Sequence, residues 1–174
     1  MIDFERLPKE SIELQAIVQE ITQRLTTGNI AWTAPIIERI LIGAFRVQAQ
    51  LLASHALTKL TPLNQAHLNW VRIIDKAARS CNLASLTLII YFLHKRQMLT
   101  SHYIVSAESA IAGELSLSNL FLENSAAFTA AEIACYQVQK ANLDEMHTFM
   151  QSFRAEQAGI IHPIAIISPS SMNK

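Results

Sequence analysis

The chain has 174 residues, 14 Lys and Arg against 14 Asp and Glu, and a charged share of only 16% beside 51% hydrophobic residues. Its cations are scattered rather than gathered in a stripe, which argues against nucleic-acid binding. So little charge leaves two explanations, a large core or an apolar face covered by a partner. Four glycines and five prolines suit long helices with short loops and argue against a turn-rich β fold.

In chain order, the first expected helix covers 9–26. Leu14, Ile17, Val18, Ile21 and Leu25 share one face at helical spacing. Pro8 suits the first turn and Gly28-Asn29 reads as the stop. The second expected helix, 35–56, carries a stripe from Ile36 to Leu52 wide enough for contact on two sides. Residues 58–64, with Pro62, read as a loop. A third helix is expected at 65–79 and a fourth at 83–97, with Asn82 as N-cap. The fourth is apolar nearly all round through Leu86, Leu88, Ile89, Ile90, Tyr91, Phe92 and Leu93, the pattern of a central helix. Further helices are expected at 107–122, 129–139 and 143–157, the last capped by Asn142 with Glu145 three residues on. The expected organisation is an N-terminal helix (1–28), a helical domain (29–157) and a tail (158–174) that is apolar and extended before a polar end. No opening signal peptide is expected, and the run from Leu83 to Leu93 is too short to span a bilayer.

The residues carry no HExxH, GxSxG, P-loop or GxGxxG pattern. Glu108, Glu114, Glu123 and Glu132 lack the Glu-x-x-His of a di-iron bundle. Cys81 and Cys135 have no metal-site spacing and read as small buried hydrophobes in a reducing compartment. His94 reads as a helix-end residue near the C-terminal dipole. Trp70 belongs to a core face, whereas Trp32 suits packing and interface equally. The expectation is therefore a non-enzymatic protein with no catalytic residue, metal or cofactor.

The order of segments resembles the cyclin box over residues 65–155, in particular the single-box, fungal phosphate-response type. Ile17–Leu25 is similar to the helix before the box. Trp70-Val71-Arg72-Ile73 resembles the first box helix, with its arginine at Arg72. Tyr91-Phe92-Leu93-His94-Lys95 resembles the Tyr-Leu-Asp-Arg ending of the next, and Phe121-Leu122-Glu123-Asn124 the Phe-Leu-Asp-Asp that closes the third. Leu143-Asp144-Glu145-Met146, with Phe149 and Phe153, resembles the start of the fifth. The chain departs from the family where the aspartate partner of Arg72 becomes His94. The family's kinase-contacting lysine becomes Leu120, and its glutamate falls near Met150. The segment 136–140 stands as a loop longer than the family's glycine turn.

The resemblance implies an all-α, cyclin-box-like bundle around one central apolar helix, with an extra N-terminal helix. It implies a partner-binding surface of Leu120, Phe121, Met146, Met150 and Lys95, with Arg72 and His94 in structural roles. The expected function is a protein-binding regulator, with a protein kinase as the leading partner class. A helical adaptor, secretion chaperone or translocated bacterial effector is the alternative. A small-molecule-binding domain, with helix 83–97 lining a pocket, is a third reading. The expected location is cytoplasmic, extending to the nucleus or, for an effector, a host cell. Self-association is one way to cover the apolar face.

Overall fold

A computed structural model describes residues 11–28 and 31–158. All regular structure among them is helical: α1 (Ser11–Thr27), α2 (Ala34–Val47), α3 (Gln50–Thr58), α4 (Pro62–Gln65), α5 (Trp70–Arg79), α6 (Leu83–Lys95), α7 (Ser101–Glu123) and α8 (Ala130–Gln157), with a 3-10 turn at Ser125–Ala127 before α8. The expected all-α class is what the chain adopts. The apolar tail expected at 158–174 lies, beyond Ala158, outside the described residues. Two compact units divide within α7, one ending at Ala110 and the other beginning at Ile111.

In the first unit, α1 buries Ile21 and Leu25, with Leu14, Ile17 and Val18 half-buried, as the stripe required. It ends at Gly28, whose φ of 78° is the left-handed conformation glycine adopts at little cost. The most enclosed helix is α2, where Ile40 through Phe45 are all buried. Six successive positions exceed one turn of 3.6 residues, so this stretch is covered on every side. Gly43 and Ala44 keep its girth small there, and both α3 and α5 pack on it.

That arrangement corrects the expectation that helix 83–97 is the central one. α6 buries one face, Ser85, Leu86, Ile89, Ile90 and Leu93, against α5 and α3. Its other side leaves Leu88 and Phe92 half-buried and Tyr91 half exposed. Exposed Lys95 and Arg96 follow on that open side.

A single helix over 35–56 is also corrected. The chain breaks at Gln48, which adopts φ 61°. There Ala49 N–H donates to Ala44 O at 2.8 Å and Gln48 N–H to Phe45 O at 3.3 Å, the paired closure of a Schellman turn. A straight helix would carry Leu52, Ala53, Ala56 and Leu57 away from the core. The break folds α3 back so that all four are buried against α2 and α6.

The expected loop at 58–64 contains α4, a single turn held by a capping box. Thr61 N–H donates to Asn64 Oδ1 at 2.8 Å, and Asn64 N–H to Thr61 Oγ1 at 3.2 Å. Consequently helix 65–79 starts late, at Trp70. α5 is strongly two-faced: Trp70, Ile73, Ile74, Ala77 and Ala78 are buried, at the i, i+3, i+4, i+7, i+8 spacing of one helix face.

In the second unit the helix expected at 107–122 is longer, beginning at Ser101 in the first unit and ending here. The helices expected at 129–139 and 143–157 are one continuous helix, α8. Its cap is Thr129, whose N–H donates to Glu132 Oε1 at 2.8 Å while its Oγ1 accepts from Glu132 N–H at 3.2 Å. Asn142 is therefore mid-helix, and 136–140 is not a loop. No Gly or Pro interrupts the stretch, and Lys140 Nζ lies 3.7 Å from Asp144 Oδ2 across the supposed junction. The five helices expected between 65 and 157 are therefore four, α5 to α8.

Candidate partner-binding site

Two of the expected binding residues are core rather than surface. Met146 and Met150 are fully buried, forming a stripe with Leu143 and Phe153 along the second half of α8. They present no area to a partner in this conformation. Leu120 is 52% exposed on α7. Phe121 is half-buried in an aromatic cluster, its ring 4.8 Å from Tyr136 and 5.8 Å from Phe128, with Phe128 and Tyr136 5.3 Å apart. Edge-on and tilted rings at these spacings attract beyond simple burial, so Phe121 joins α7 to α8. Leu117 and Val138 are exposed in the same unit.

Arg72 has a structural place. Its Nη1 donates to Glu38 Oε2 at 2.9 Å, and Glu38 Oε1 accepts Asn69 N–H at 2.9 Å. One carboxylate on α2 thus holds both an arginine and the N-cap residue of α5. Asn69 completes the cap by accepting Arg72 N–H at 3.2 Å. The sequence reading missed Glu38, because no local pattern links it to a residue 34 positions away. His94 lies exposed in the last turn of α6. The cysteine expectation needs correction: Cys81 is half-buried and Cys135 exposed.

Lys95, the remaining expected residue, lines a feature of the first unit that the sequence did not reveal. A groove of about 460 Å³ runs between α3 and α6, lined by Ser54, Leu57, Thr58, Leu88, Phe92, Lys95 and Arg96. It is open rather than enclosed. The two helices are tied near their N-termini by Gln50 Nε2, which donates to Ser85 Oγ at 3.0 Å. Ser85 is fully buried, so this bond satisfies a hydroxyl that would otherwise be costly. Leu51 is 87% exposed and one turn before Ser54, on the same face of α3.

The far end of the groove is cationic and braced. The Arg96 guanidinium lies 4.7 Å from the Phe92 ring centroid. Phe92 in turn lies 5.9 Å from Trp70. Arg96 Nη1 donates to Gln65 Oε1 at 2.9 Å, and Trp70 Nε1 donates to the Gln65 carbonyl at 2.8 Å. Gln65, held at the end of α4, therefore anchors both ends of an Arg–Phe–Trp stack. Trp70 is buried core, as expected. Trp32 is half-buried, with His55 6.2 Å from its ring and Lys59 Nζ 5.5 Å above it.

Among the described residues no three His, Cys, Asp or Glu side chains converge as a metal site, and no helix is long and apolar enough to cross a membrane. No protein-family model, curated protein or solved structure matches the chain.

Proposed function

We propose that this chain is a non-enzymatic regulator that works by binding another protein. The observation that carries the reading is the open α3–α6 groove, with the half-buried side chains of Leu88 and Phe92 on its α6 wall and Leu51, 87% exposed, one turn before Ser54 on its α3 side. Contiguous apolar surface with a polar rim is the form of a recognition site. A protein kinase is the partner class to which the cyclin-box resemblance points. Lys95 belongs to the recognition surface, and Leu120 offers a separate contact on α7. Arg72 acts by fixing α5 on α2.

A second reading, the helical adaptor, chaperone or effector, is favoured by one particular observation. α8 is a single helix of 28 residues where the box would have two. No residue from Ala130 to Asn142 is buried, so that half of the helix has side chains available for partners.

The test is quantitative cross-linking and co-purification of the full chain from cells that make it. Wild type is compared with Leu51→Asp/Lys95→Glu and with Leu117→Asp/Leu120→Asp, each checked for fold by circular dichroism. Loss of a near-stoichiometric kinase or regulator in either folded variant supports the first reading. A structural or secreted-protein complex supports the second. Absence of any near-stoichiometric protein with the wild type refutes both.

A further inference from the structure

We infer that the α3–α6 groove takes a short amphipathic helix from a partner protein, apolar on one face and bearing a carboxylate that meets Arg96 and Lys95. The inference rests on the protein-binding reading and specifies its ligand.

Lys95 and Arg96 stand side by side at the groove's end, and none of its lining residues is acidic. Neither cation forms an ion pair with a described residue. The C-terminus of α6 accounts for only part of this, because a helix end carries roughly half a negative charge. Two full positive charges leave the groove end net positive.

Arg96 is also prepared for a carboxylate. Stacking on Phe92 and the bond from Nη1 to Gln65 hold the guanidinium plane, while its other N–H groups remain available. A fixed planar fork binds carboxylate in bidentate fashion with little further loss of side-chain freedom. A lysine in the same place would lack that geometry.

The shape selects a helix over a small molecule. Small ligands bury most of their surface in enclosed pockets, whereas this groove is open along its length. Its lining runs from Ser54 to Thr58 on one side and from Leu88 to Arg96 on the other, about 6 and 12 Å at about 1.5 Å per residue. A docked helix of about two turns matches that span. Its i, i+3 and i+7 side chains would meet Leu51, Leu88 and Phe92.

The experiment is selection of a displayed library of helix-forming 14-residue peptides, randomised at apolar-face and terminal positions, on the full chain. Enriched peptides are then titrated by fluorescence anisotropy against wild type, Arg96→Ala, Arg96→Lys, Leu51→Asp and the double reversal Lys95→Glu/Arg96→Glu. The expected peptides carry Asp or Glu at one end of an apolar stripe. Arg96→Ala weakens binding about tenfold or more, as loss of a charge-assisted bidentate pair does. Arg96→Lys restores only part of it, and the double reversal shifts selection to basic peptides. Enriched peptides without carboxylates, an empty selection, or tight binding of dodecanoate in place of any peptide overturns the proposal. Peptides that bind every groove variant equally overturn the groove assignment while leaving the protein-binding reading intact. An empty selection joined to a cross-linking experiment without a partner removes both.

Discussion

Met150→Ala and Leu120→Asp separate core from surface among residues that the cyclin-box resemblance groups together. Met150 is 1% exposed and stacked in a stripe with Leu143, Met146 and Phe153. Truncating it removes buried methylenes and the thioether and leaves a void that the helix stripe closes only in part. Such changes cost about 2–5 kcal/mol. For a chain of this length, each kcal/mol lowers Tm by about 2–4 °C, so the expected drop is about 4–20 °C. Leu120 keeps half its surface in water, and its backbone carbonyl, which accepts from Asn124 Nδ2 at 2.8 Å, does not depend on the side chain. A surface change of that kind stays within about 0.5 kcal/mol, or about 2 °C. Scanning calorimetry with circular dichroism at 222 nm reads both numbers. A Met150→Ala protein that melts within about 2 °C of wild type would refute the burial argument. So would a Leu120→Asp protein destabilised as much as Met150→Ala.

Three further predictions test other joints. The Glu38–Arg72 pair is half-buried, with side-chain exposures of 16% and 38%, so a double-mutant cycle with Glu38→Gln and Arg72→Met should give a coupling of about 1 kcal/mol that shrinks in salt; zero coupling in urea melts would remove the α2–α5 brace. Gln97 follows α6 with φ 59°, its N–H donating to His94 O and that of Met98 to Leu93 O; Gln97→Gly should stabilise the chain by about 1 kcal/mol in the same melts, and destabilisation would contradict the left-handed turn. Thr129→Ala should cost about 1 kcal/mol by removing the cap of α8, while Asn142→Ala, in mid-helix, should be neutral or stabilising by a few tenths of a kcal/mol; the reverse order would mean that a helix begins at Asn142.

Local physics is legible wherever the determining groups are neighbours in sequence. The helical class follows from periodic apolar positions and scarce Gly and Pro. Asn82 caps α6 through Ala84 N–H at 2.8 Å, and Gly28 ends α1 in the left-handed region, both as read from residue type alone. The buried face of α5 follows from its spacing in the same way. Local signals mislead where two of them compete. Asn142 and Glu145 resemble a capping box, yet the uninterrupted helix already supplies their backbone partners, and Thr129 with Glu132 takes the capping role. Gln48 lacks the glycine signal of a stop. Its left-handed turn persists because it returns Leu52, Ala53, Ala56 and Leu57 to the core.

Composition could not decide which of two apolar helices is enclosed. α2 and α6 are both rich in Ile and Leu, but enclosure depends on which neighbours fold back on them. The turn at Gln48 sends α3 onto α2 and leaves one side of α6 open. That open side makes the groove, and the chain's return through Gln65 braces Arg96 there from 31 residues away. The amino-acid order by itself determined the helical class, the ends at Asn82 and Gly28 and the two-faced character of α1 and α5, because those arise within a few residues. Tertiary structure alone decided that Met146 and Met150 are core, that Glu38 partners Arg72, and that Lys95 borders a groove. Each of those depends on the meeting of side chains remote in sequence, which no single helix specifies.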